Sequence, residues 1–184
     1  MSDAPILRDA TAADATAIQR IYAPIVRDTT ISFEWEPPTV EEIAARIERT
    51  QRDDYPWLIA EVDGGVAGYA YASRFRTRAA YDWTAEVSVY VDRARHRAGL
   101  GRRVYGELLR VLEAQGYRGA YGVMTLPNAA SEGLHRALGF REVGRFPRVG
   151  WKFGAWHDVA VWHVALGDAS EPGPLRPVAE VSTR

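Results

Sequence analysis

The chain has 184 residues, of which 47% are hydrophobic and 26% charged, and this length and composition fit one globular domain that buries a sizeable core. Its formal net charge of −1 argues against a protein that binds nucleic acid with its whole surface. The absence of cysteine excludes disulfides, thiolate metal sites and a cysteine nucleophile in this chain.

The first half of the chain predicts two helices and a strand hairpin. A short strand is expected over residues 6–8, and helices follow the capping sequences that begin at Thr11 and Thr39. Residues 57–62 and 66–72 predict two strands, because the intervening Asp63-Gly64-Gly65 is typical of a hairpin turn.

The second half predicts strands that alternate with helices. Strands are expected over residues 85–91, 120–124 and 159–166, and a short helix over 130–138 that ends before Gly139. Between the first two strands lies a helix whose apolar face is formed by Val104, Leu108, Leu109, Val111 and Leu112. The fold class is therefore α/β (α+β), with a mixed, mostly antiparallel twisted sheet flanked by helices.

The ends of the chain carry no membrane or export signal that we recognise. No stretch approaches the roughly 20 apolar residues of a membrane span, so we expect a cytoplasmic protein.

Residues 167–184 contain three prolines and few apolar residues. We expect a domain over residues 1–166 and a C-terminal tail over 167–184.

The turn after the strand at residues 85–91 is a candidate anion site. All but one of the 23 basic residues are arginine, the exception being Lys152. Five arginines crowd this turn: Arg93, Arg95, Arg97, Arg102 and Arg103. Gly99 and Gly101 precede a helix, whose N-terminal N–H groups attract phosphate. The pattern matches neither a Walker A loop nor a dinucleotide fingerprint, and an ordinary turn with solvated arginines is the alternative.

Two segments resemble the GNAT superfamily of N-acetyltransferases. The sequence His96-Arg97-Ala98-Gly99-Leu100-Gly101 is similar to the family's acetyl-CoA signature, Gln/Arg-x-x-Gly-x-Gly/Ala, except for His96. Asn128, Ser131 and residues 134–140 are similar to its second CoA region, where His135 replaces the usual tyrosine. Further motifs at 55–58, 80–86, 112–116 and 156–159 narrow the resemblance to phosphinothricin N-acetyltransferases, some relatives of which accept methionine sulfoximine or methionine sulfone.

The resemblance implies acetyl-CoA as co-substrate, a small-molecule amine acceptor and a homodimer. The charge balance, the lack of a long apolar stretch and the spacing of the histidines lead us to expect no nucleic acid, membrane or metal partner. The implied cofactor-binding residues are Val89, Tyr90, Val91, Arg97, Ala98, Gly99, Leu100, Gly101, Arg102, Asn128 and Ser131. Of these, residues 89–91 would pair with the pantetheine arm like an extra strand.

Glu86 and His135 are the candidate catalytic residues. Glu86 begins the strand that would bind the donor and shares a strand face with Ser88 and Tyr90, so it is the candidate base for the acceptor amine. The alternative is an edge-strand glutamate that faces solvent. His135 is either a proton donor to the departing thiolate, a second base, or a histidine at the edge of the core.

The candidate substrate-binding residues surround the segment before Glu86. Arg74, Arg76 and Arg78 alternate, so an extended segment would place them on one face. We expect Arg76, Arg78, Tyr81 and Phe33 to bind an anionic acceptor. Lys152 and His157 are secondary candidates, because the nearby aromatic residues also fit a packed cluster. His163 is expected to be structural, and the four histidines lack metal-site spacing.

These features predict direct transfer of an acetyl group from acetyl-CoA to the α-amine of a small amino-acid-like substrate. Two alternatives remain open. One is a peptide or protein N-acetyltransferase of the same fold, and the other is a non-catalytic CoA-binding module.

Overall fold

The computed structural model describes residues 5–95 and 99–182. Within these residues the chain forms seven strands and five helices. The strands are β1 (Ile6–Asp9), β2 (Trp57–Val62), β3 (Gly65–Arg74), β4 (Thr84–Val91), β5 (Gly119–Thr125), β6 (Arg141–Lys152) and β7 (Ala155–Ala165). The helices are α1 (Ala15–Asp28), α2 (Val40–Arg52), α3 (Leu100–Gln115), α4 (Ala129–Ala137) and α5 (Val178–Val181). None of these helices has the length and apolar character needed to cross a bilayer.

The described strands form one mixed sheet in the order β1-β2-β3-β4-β5-β7-β6. Neighbouring strands are antiparallel except for β4 and β5, which are parallel. Helix α3 packs on one face through the larger core cluster, and α1 and α2 pack on the other face through a second cluster. The predicted fold class, a mostly antiparallel sheet flanked by helices, is confirmed.

The helices form where capping and apolar spacing agree. The side chain of Thr39 accepts a hydrogen bond from the backbone N–H of Glu42 at 3.2 Å, which caps α2 as expected. In α3, the side chains of Val104, Leu108 and Leu112 recur at helical spacing and are fully buried. The predicted apolar face of α3 is therefore confirmed, and it fixes the N-terminus of α3 beside β4.

Strand β6 is the main element that the sequence analysis missed. It is the edge strand of the sheet, and most of its residues are exposed. It also contains Gly144, Pro147 and Gly150, which are residues that disfavour central strands. The usual alternation of buried and exposed residues is therefore lacking, and the sequence carries little strand signal. For the same reason β7 begins at Ala155 rather than at the predicted residue 159.

The arginines at 74, 76 and 78 do not lie on one extended strand. Strand β3 ends at Arg74, and the chain then enters a loop and a short 3-10 turn at Ala79–Tyr81. The shared face expected from their alternation is therefore wrong. At this change of direction the Phe75 ring stacks on Tyr121 at a centroid distance of 4.4 Å.

The segment that follows β7 packs against the rest of the protein. Leu175 contacts the larger core cluster, and Val181 is buried. The backbone N–H of Arg176 donates to the carbonyl of Gln115 at 2.8 Å, and the Gln115 side chain donates back to the Arg176 carbonyl at 3.2 Å. The segment thus covers the C-terminal end of α3. The predicted division after residue 166 stays a prediction.

Candidate active site

A cleft opens in the sheet where β4 and β5 separate. The two strands pair only at Thr84, Ala85 and Glu86 of β4. Beyond Glu86 no residue of β4 pairs with β5, although β4 remains paired with β3 as far as Val91. A parallel pair that diverges in this way leaves one edge of β4 open to a ligand.

We call the cavity along this open edge the β4 groove. It has a volume of about 520 Å³ and is lined by the second half of β4 and by the N-terminal ends of α3 and α4. The predicted cofactor-binding residues that line it are Val89, Tyr90, Val91, Gly99, Leu100, Gly101, Arg102, Asn128 and Ser131. Arg97 and Ala98, together with His96, lie outside the described residues. The structure thus brings together every predicted cofactor-binding residue that it describes.

The N-terminus of α3 has the features of an anion site. Gly99 precedes the helix with φ 72°, a left-handed conformation that favours glycine. Arg102 and Arg103 are exposed in the first turn, and within the described part of the chain neither forms an ion pair. Two unpaired guanidinium groups beside free helical N–H groups favour a phosphate.

A smaller cavity of about 50 Å³ lies deeper in the cleft, between β4 and β5. It shares Val89, Tyr90, Asn128 and Ser131 with the β4 groove and ends at His135. The Asn128 side chain caps α4 by accepting from the Ser131 N–H at 3.1 Å. This cap holds the first turn of α4, and with it His135, at the base of the cleft.

His135 is only 4% exposed and is held from both ring nitrogens. Nδ1 lies 2.8 Å from the Ser131 carbonyl, and Nε2 lies 3.2 Å from the Tyr105 hydroxyl. Because a carbonyl only accepts, this network assigns the proton of the neutral ring to Nδ1 and leaves Nε2 to accept. Burial lowers the pKa of His135, against a smaller opposing effect of the Ser131 hydrogen bond. The geometry therefore favours a neutral histidine, suited to accept a proton rather than to donate one.

Glu86 sits at the point where the two strands separate. It lies opposite Ser73 of β3 and is the last β4 residue paired with β5, where its partner is Tyr121. Burial raises the pKa of Glu86, and the charge of Arg76 partly offsets this. Its carboxylate has no hydrogen-bond partner among the described residues. A half-buried carboxylate with a raised pKa and no partner is the arrangement expected of a general base.

The predicted substrate-binding residues lie in two places, the loop after β3 and the segment that carries Phe33. The Arg76 guanidinium is 5.1 Å from the centroid of the Phe75 ring, and the Tyr81 ring is 6.0 Å from the same ring. Two of the four candidates, Arg76 and Tyr81, therefore lie beside the Phe75 ring. Arg78 is exposed in the same loop, and its carbonyl accepts a hydrogen bond from the Tyr81 N–H at 3.0 Å.

Phe33 lies apart from this loop, against the hairpin of β6 and β7. Its ring centroid is 6.4 Å from that of His157, and it fills the space beside Gly150 so closely that a Cβ there would lie 2.1 Å from the ring. Lys152 is 2% exposed, and its Nζ donates to the carbonyls of Val26 and Ser32 at 2.6 and 2.7 Å. Lys152 therefore holds the segment that carries Phe33 and is itself too buried to bind an acceptor.

Sequence reasoning missed Tyr105 and Gly122. Tyr105 is fully buried on the apolar face of α3 and contacts His135; a tyrosine amid that apolar face was the signal. Gly122 of β5 faces the same histidine, and a Cβ on it would lie 2.3 Å from His135 Nε2. No pattern in the sequence distinguishes this glycine from the others.

We expect Gly122→Ala to lower kcat by about 10²-fold, because the new methyl group must displace His135 by an ångström or so. Steady-state kinetics with acetyl-CoA and a small amine would measure this. The control is Gly133→Ala in α4, where a Cβ meets nothing within 4 Å; it should keep wild-type kinetics and gain about 0.5–1 kcal/mol of stability. Wild-type kcat in Gly122→Ala would contradict a role for the position of His135.

Comparison with known proteins agrees with this geometry. The family model described as "Acetyltransferase (GNAT) domain" matches residues 7–161. The chain is 44% identical to the phosphinothricin N-acetyltransferase of Streptomyces viridochromogenes over 95% of both chains. It is 36% identical to the L-methionine sulfoximine/L-methionine sulfone acetyltransferase of Pseudomonas paraeruginosa, over 87% of this chain and 94% of that protein.

A solved structure shares the fold of this chain. The crystal structure of a GNAT superfamily phosphinothricin acetyltransferase from Sinorhizobium meliloti, in complex with AcCoA, superposes with a TM-score of 0.89 at 36% identity. The similarity covers 93% of this chain and 94% of that one. On the family match, the identities and the shared fold together, the chain belongs to the GNAT family of acetyltransferases.

Proposed function

We propose that this acetyltransferase transfers the acetyl group of acetyl-CoA directly to the α-amine of a small anionic amino acid, of the phosphinothricin, methionine sulfoximine or methionine sulfone type. The observation that carries the proposal is the position of Glu86. Its carboxylate is half-buried, has no hydrogen-bond partner among the described residues, and lies where β4 and β5 separate, close enough to Arg76 to feel its charge. Donor and acceptor would meet there.

The described residues fit acetyl-CoA. The N-terminus of α3 and Arg102 would hold the pyrophosphate, and the open edge of β4 at Val89–Val91 would pair with the pantetheine arm. Asn128 and Ser131 line the groove where that arm would continue. The thioester would then lie near His135 in the deeper cavity.

The chemistry requires an uncharged amine. An α-ammonium group has a reference pKa near 8, so Glu86 would take one proton from it. The amine nitrogen then attacks the thioester carbonyl carbon, whose oxygen is stabilised by a backbone N–H of β4 near Val87 to Val89. The C–S bond breaks as the amide forms. The second amine proton leaves as the CoA thiolate becomes a thiol, and the His135–Tyr105 pair is the candidate relay.

The acceptor's anionic groups would be held by Arg76 and Arg78, with Tyr81 and Phe33 flanking them. Two arginines, Arg76 and Arg78, in the loop before the proposed base Glu86 suit an amino acid that carries a carboxylate and a second anion or polar oxygen. We also propose that the enzyme is cytoplasmic and that it protects the cell against toxic amino-acid analogues.

A CoA-release assay tests the function. The panel contains phosphinothricin, methionine sulfoximine, methionine sulfone and peptides with free N-termini, compared by kcat/KM. Turnover of the free amino acids supports the proposal. Turnover of peptides alone would instead establish a peptide N-acetyltransferase. Binding of acetyl-CoA without turnover of any amine would establish a CoA-binding module.

We expect Arg102→Glu to raise the KM for acetyl-CoA about tenfold, because it places a negative charge beside the pyrophosphate. The effect should be largest at low salt, where screening is weakest. Arg110→Glu, an exposed reversal at the far end of the same helix, changes the net charge equally and is the control. Equal effects of both reversals would show that only the net charge matters.

We further propose a homodimer formed through an apolar patch on the β6–β7 hairpin. The patch consists of Phe146, Val149, Trp151, Phe153 and Trp156, which are 47–58% exposed. Contiguous exposed apolar side chains of this kind mark interaction sites, and a second copy would cover them. Phe33 lies against Gly150, near the turn of this hairpin, so the dimer interface would lie close to the acceptor side of the cleft.

Sedimentation velocity at assay concentration should give twice the monomer mass of 20.5 kDa. Trp156→Glu should shift the protein to monomer. Ile6→Glu is the control, since Ile6 is 62% exposed on β1 at the opposite edge of the sheet. A wild-type monomer at assay concentration would refute the dimer.

A further inference from the structure

A second large cavity lies between α2 and the sheet, and we call it the α2 cavity. It has a volume of about 540 Å³ and is lined by residues that include Arg46, Arg49, Trp57, Tyr69, Tyr71 and Ser73. This volume lies within the range of about 300–1,000 Å³ that is typical of small-molecule sites. The catalytic candidates Glu86 and His135 and the substrate-binding candidates Arg76, Arg78, Tyr81 and Phe33 are not among the residues that line it.

The α2 cavity lies on the same face of the sheet as Glu86. Ser73 is the residue of β3 directly opposite Glu86, and Tyr71 and Tyr69 follow it at alternate positions. Side chains that are directly opposite in an antiparallel pair share a face, with Cβ atoms about 4.5–5.5 Å apart. A ligand whose amine lies at Glu86 can therefore extend past Ser73 into the α2 cavity.

The floor of the α2 cavity is a row of aromatic rings. Trp57 and Tyr71 stack at a centroid distance of 4.4 Å and an interplanar angle of 18°. Tyr69 lies nearly parallel to both, with centroid distances of 6.0 and 6.4 Å. The indole Nε1 of Trp57 is buried without a hydrogen-bond partner among the described residues. Because Trp57 and Tyr71 stack face to face, they present ring edges to the cavity, and a flat apolar group can meet these edges with its face.

The wall formed by α2 supplies positive charge. Arg46 is already paired with Glu34 and Glu42, at 2.8 and 2.6 Å. Arg49, one helical turn further on, forms no ion pair among the described residues, although Asp53 also lines the cavity. Arg74 lines it as well. Of the charged residues that line the cavity, three are arginines and two, Glu42 and Asp53, are acidic. This excess of one positive charge favours an anionic ligand group.

We propose that the α2 cavity receives the side chain of the acceptor and favours a flat ring that ends in an anionic group. This inference rests on the proposed acetyltransferase function, and it adds an acceptor class. The face of the acceptor ring would meet the edges of the stacked Trp57 and Tyr71 rings, and the anion would meet Arg49. Amino acids with an aryl carboxylate side chain meet this description, whereas phosphinothricin is too short to fill the cavity.

The test compares 4-carboxy-L-phenylalanine with L-phenylalanine as acceptors in the CoA-release assay. We expect the wild type to prefer the carboxylated acceptor about tenfold in kcat/KM. Arg49→Gln should reduce this preference to less than about twofold. Arg52→Gln is the matched control, because Arg52 is exposed on the same helix and does not line the cavity; it should keep the tenfold preference.

A second readout needs no turnover. Titration calorimetry of 4-carboxy-L-phenylalanine into the enzyme saturated with CoA should show binding that Arg49→Gln weakens about tenfold and Arg52→Gln does not. A wild type without preference for the carboxylated acceptor overturns the proposal, as does an equal loss in both variants. If binding depends on Arg49 but neither these acceptors nor methionine sulfone is acetylated, the proposed function fails while the α2 cavity stands as a ligand site.

Discussion

Glu86→Gln is expected to lower kcat by about 10²–10⁴-fold at neutral pH, which is the range that general base catalysis contributes. The substitution keeps the size of the side chain but removes its ability to take a proton. The KM for acetyl-CoA should stay near the wild-type value, because the β4 groove begins beyond Glu86. Glu48→Gln is the control, since Glu48 is an exposed carboxylate on α2.

The pH dependence of the rate and of the stability gives a second test of Glu86 as the base. Burial raises the pKa of Glu86, so the wild-type rate should fall as the pH drops through that raised value. A carboxylate whose pKa is raised by folding destabilises the folded state when it ionises, so stability is lost as the pH rises through that pKa. Glu86→Gln should therefore remove this limb of the rate profile and unfold no more readily than the wild type at neutral pH. An unchanged rate or profile would exclude Glu86 as the base.

Lys152→Met is expected to destabilise the protein by about 3 kcal/mol, because it removes two charge-assisted hydrogen bonds and leaves two acceptors unsatisfied. Lys152 Nζ donates to the carbonyl of Val26 at the end of α1 and to the carbonyl of Ser32 in the following segment, at 2.6 and 2.7 Å. A cation at this point also suits the negative end of the α1 dipole. Urea unfolding monitored by circular dichroism would measure the change.

The same substitution should affect acceptor binding. Ser32 immediately precedes Phe33, so loosening this segment is expected to raise the KM for the amine more than the KM for acetyl-CoA. Arg141→Met, at an exposed position on the same strand, is the control and should change stability by less than about 0.5 kcal/mol. If Lys152→Met unfolds at the same urea concentration as the control, Lys152 does not hold this segment.

The cleft illustrates how far local sequence patterns reach. Glu86 and the glycines at 99 and 101 are close in sequence, and one strand–turn–helix unit is enough to place them, so their spacing predicts their neighbourhood. The family resemblance added Asn128, Ser131 and His135, and in the structure these residues line the same cleft. No local pattern predicts Tyr105 or Gly122 as partners of His135, because these contacts join three separate elements.

The role of Lys152 also could not be predicted from local sequence patterns. Lys152 is the one lysine of the sequence, and the sequence analysis took it as a secondary candidate for acceptor binding. In the structure it instead binds two carbonyls that lie more than a hundred positions away in sequence. Whether a charged side chain faces a ligand or closes a helix end depends on which strand edge meets which helix. Spacing along the chain does not contain that information.

The sequence by itself predicted the order of most strands and helices, and its local patterns indicated an anion site at the turn before α3 and Glu86 as a candidate base, both of which stay predictions. Each depends on residues a few positions apart, whose periodicity and backbone preferences are local properties. Only the tertiary structure decided where β4 parts from β5, that the edge strand β6 exists, and that buried His135 faces Tyr105. These features arise because packing across the sheet, and not local preference, sets which side chains lose contact with water. The length and near-zero charge of the chain fit this single-sheet domain, within which the positive charge is concentrated at the turn before α3 and the loop before β4.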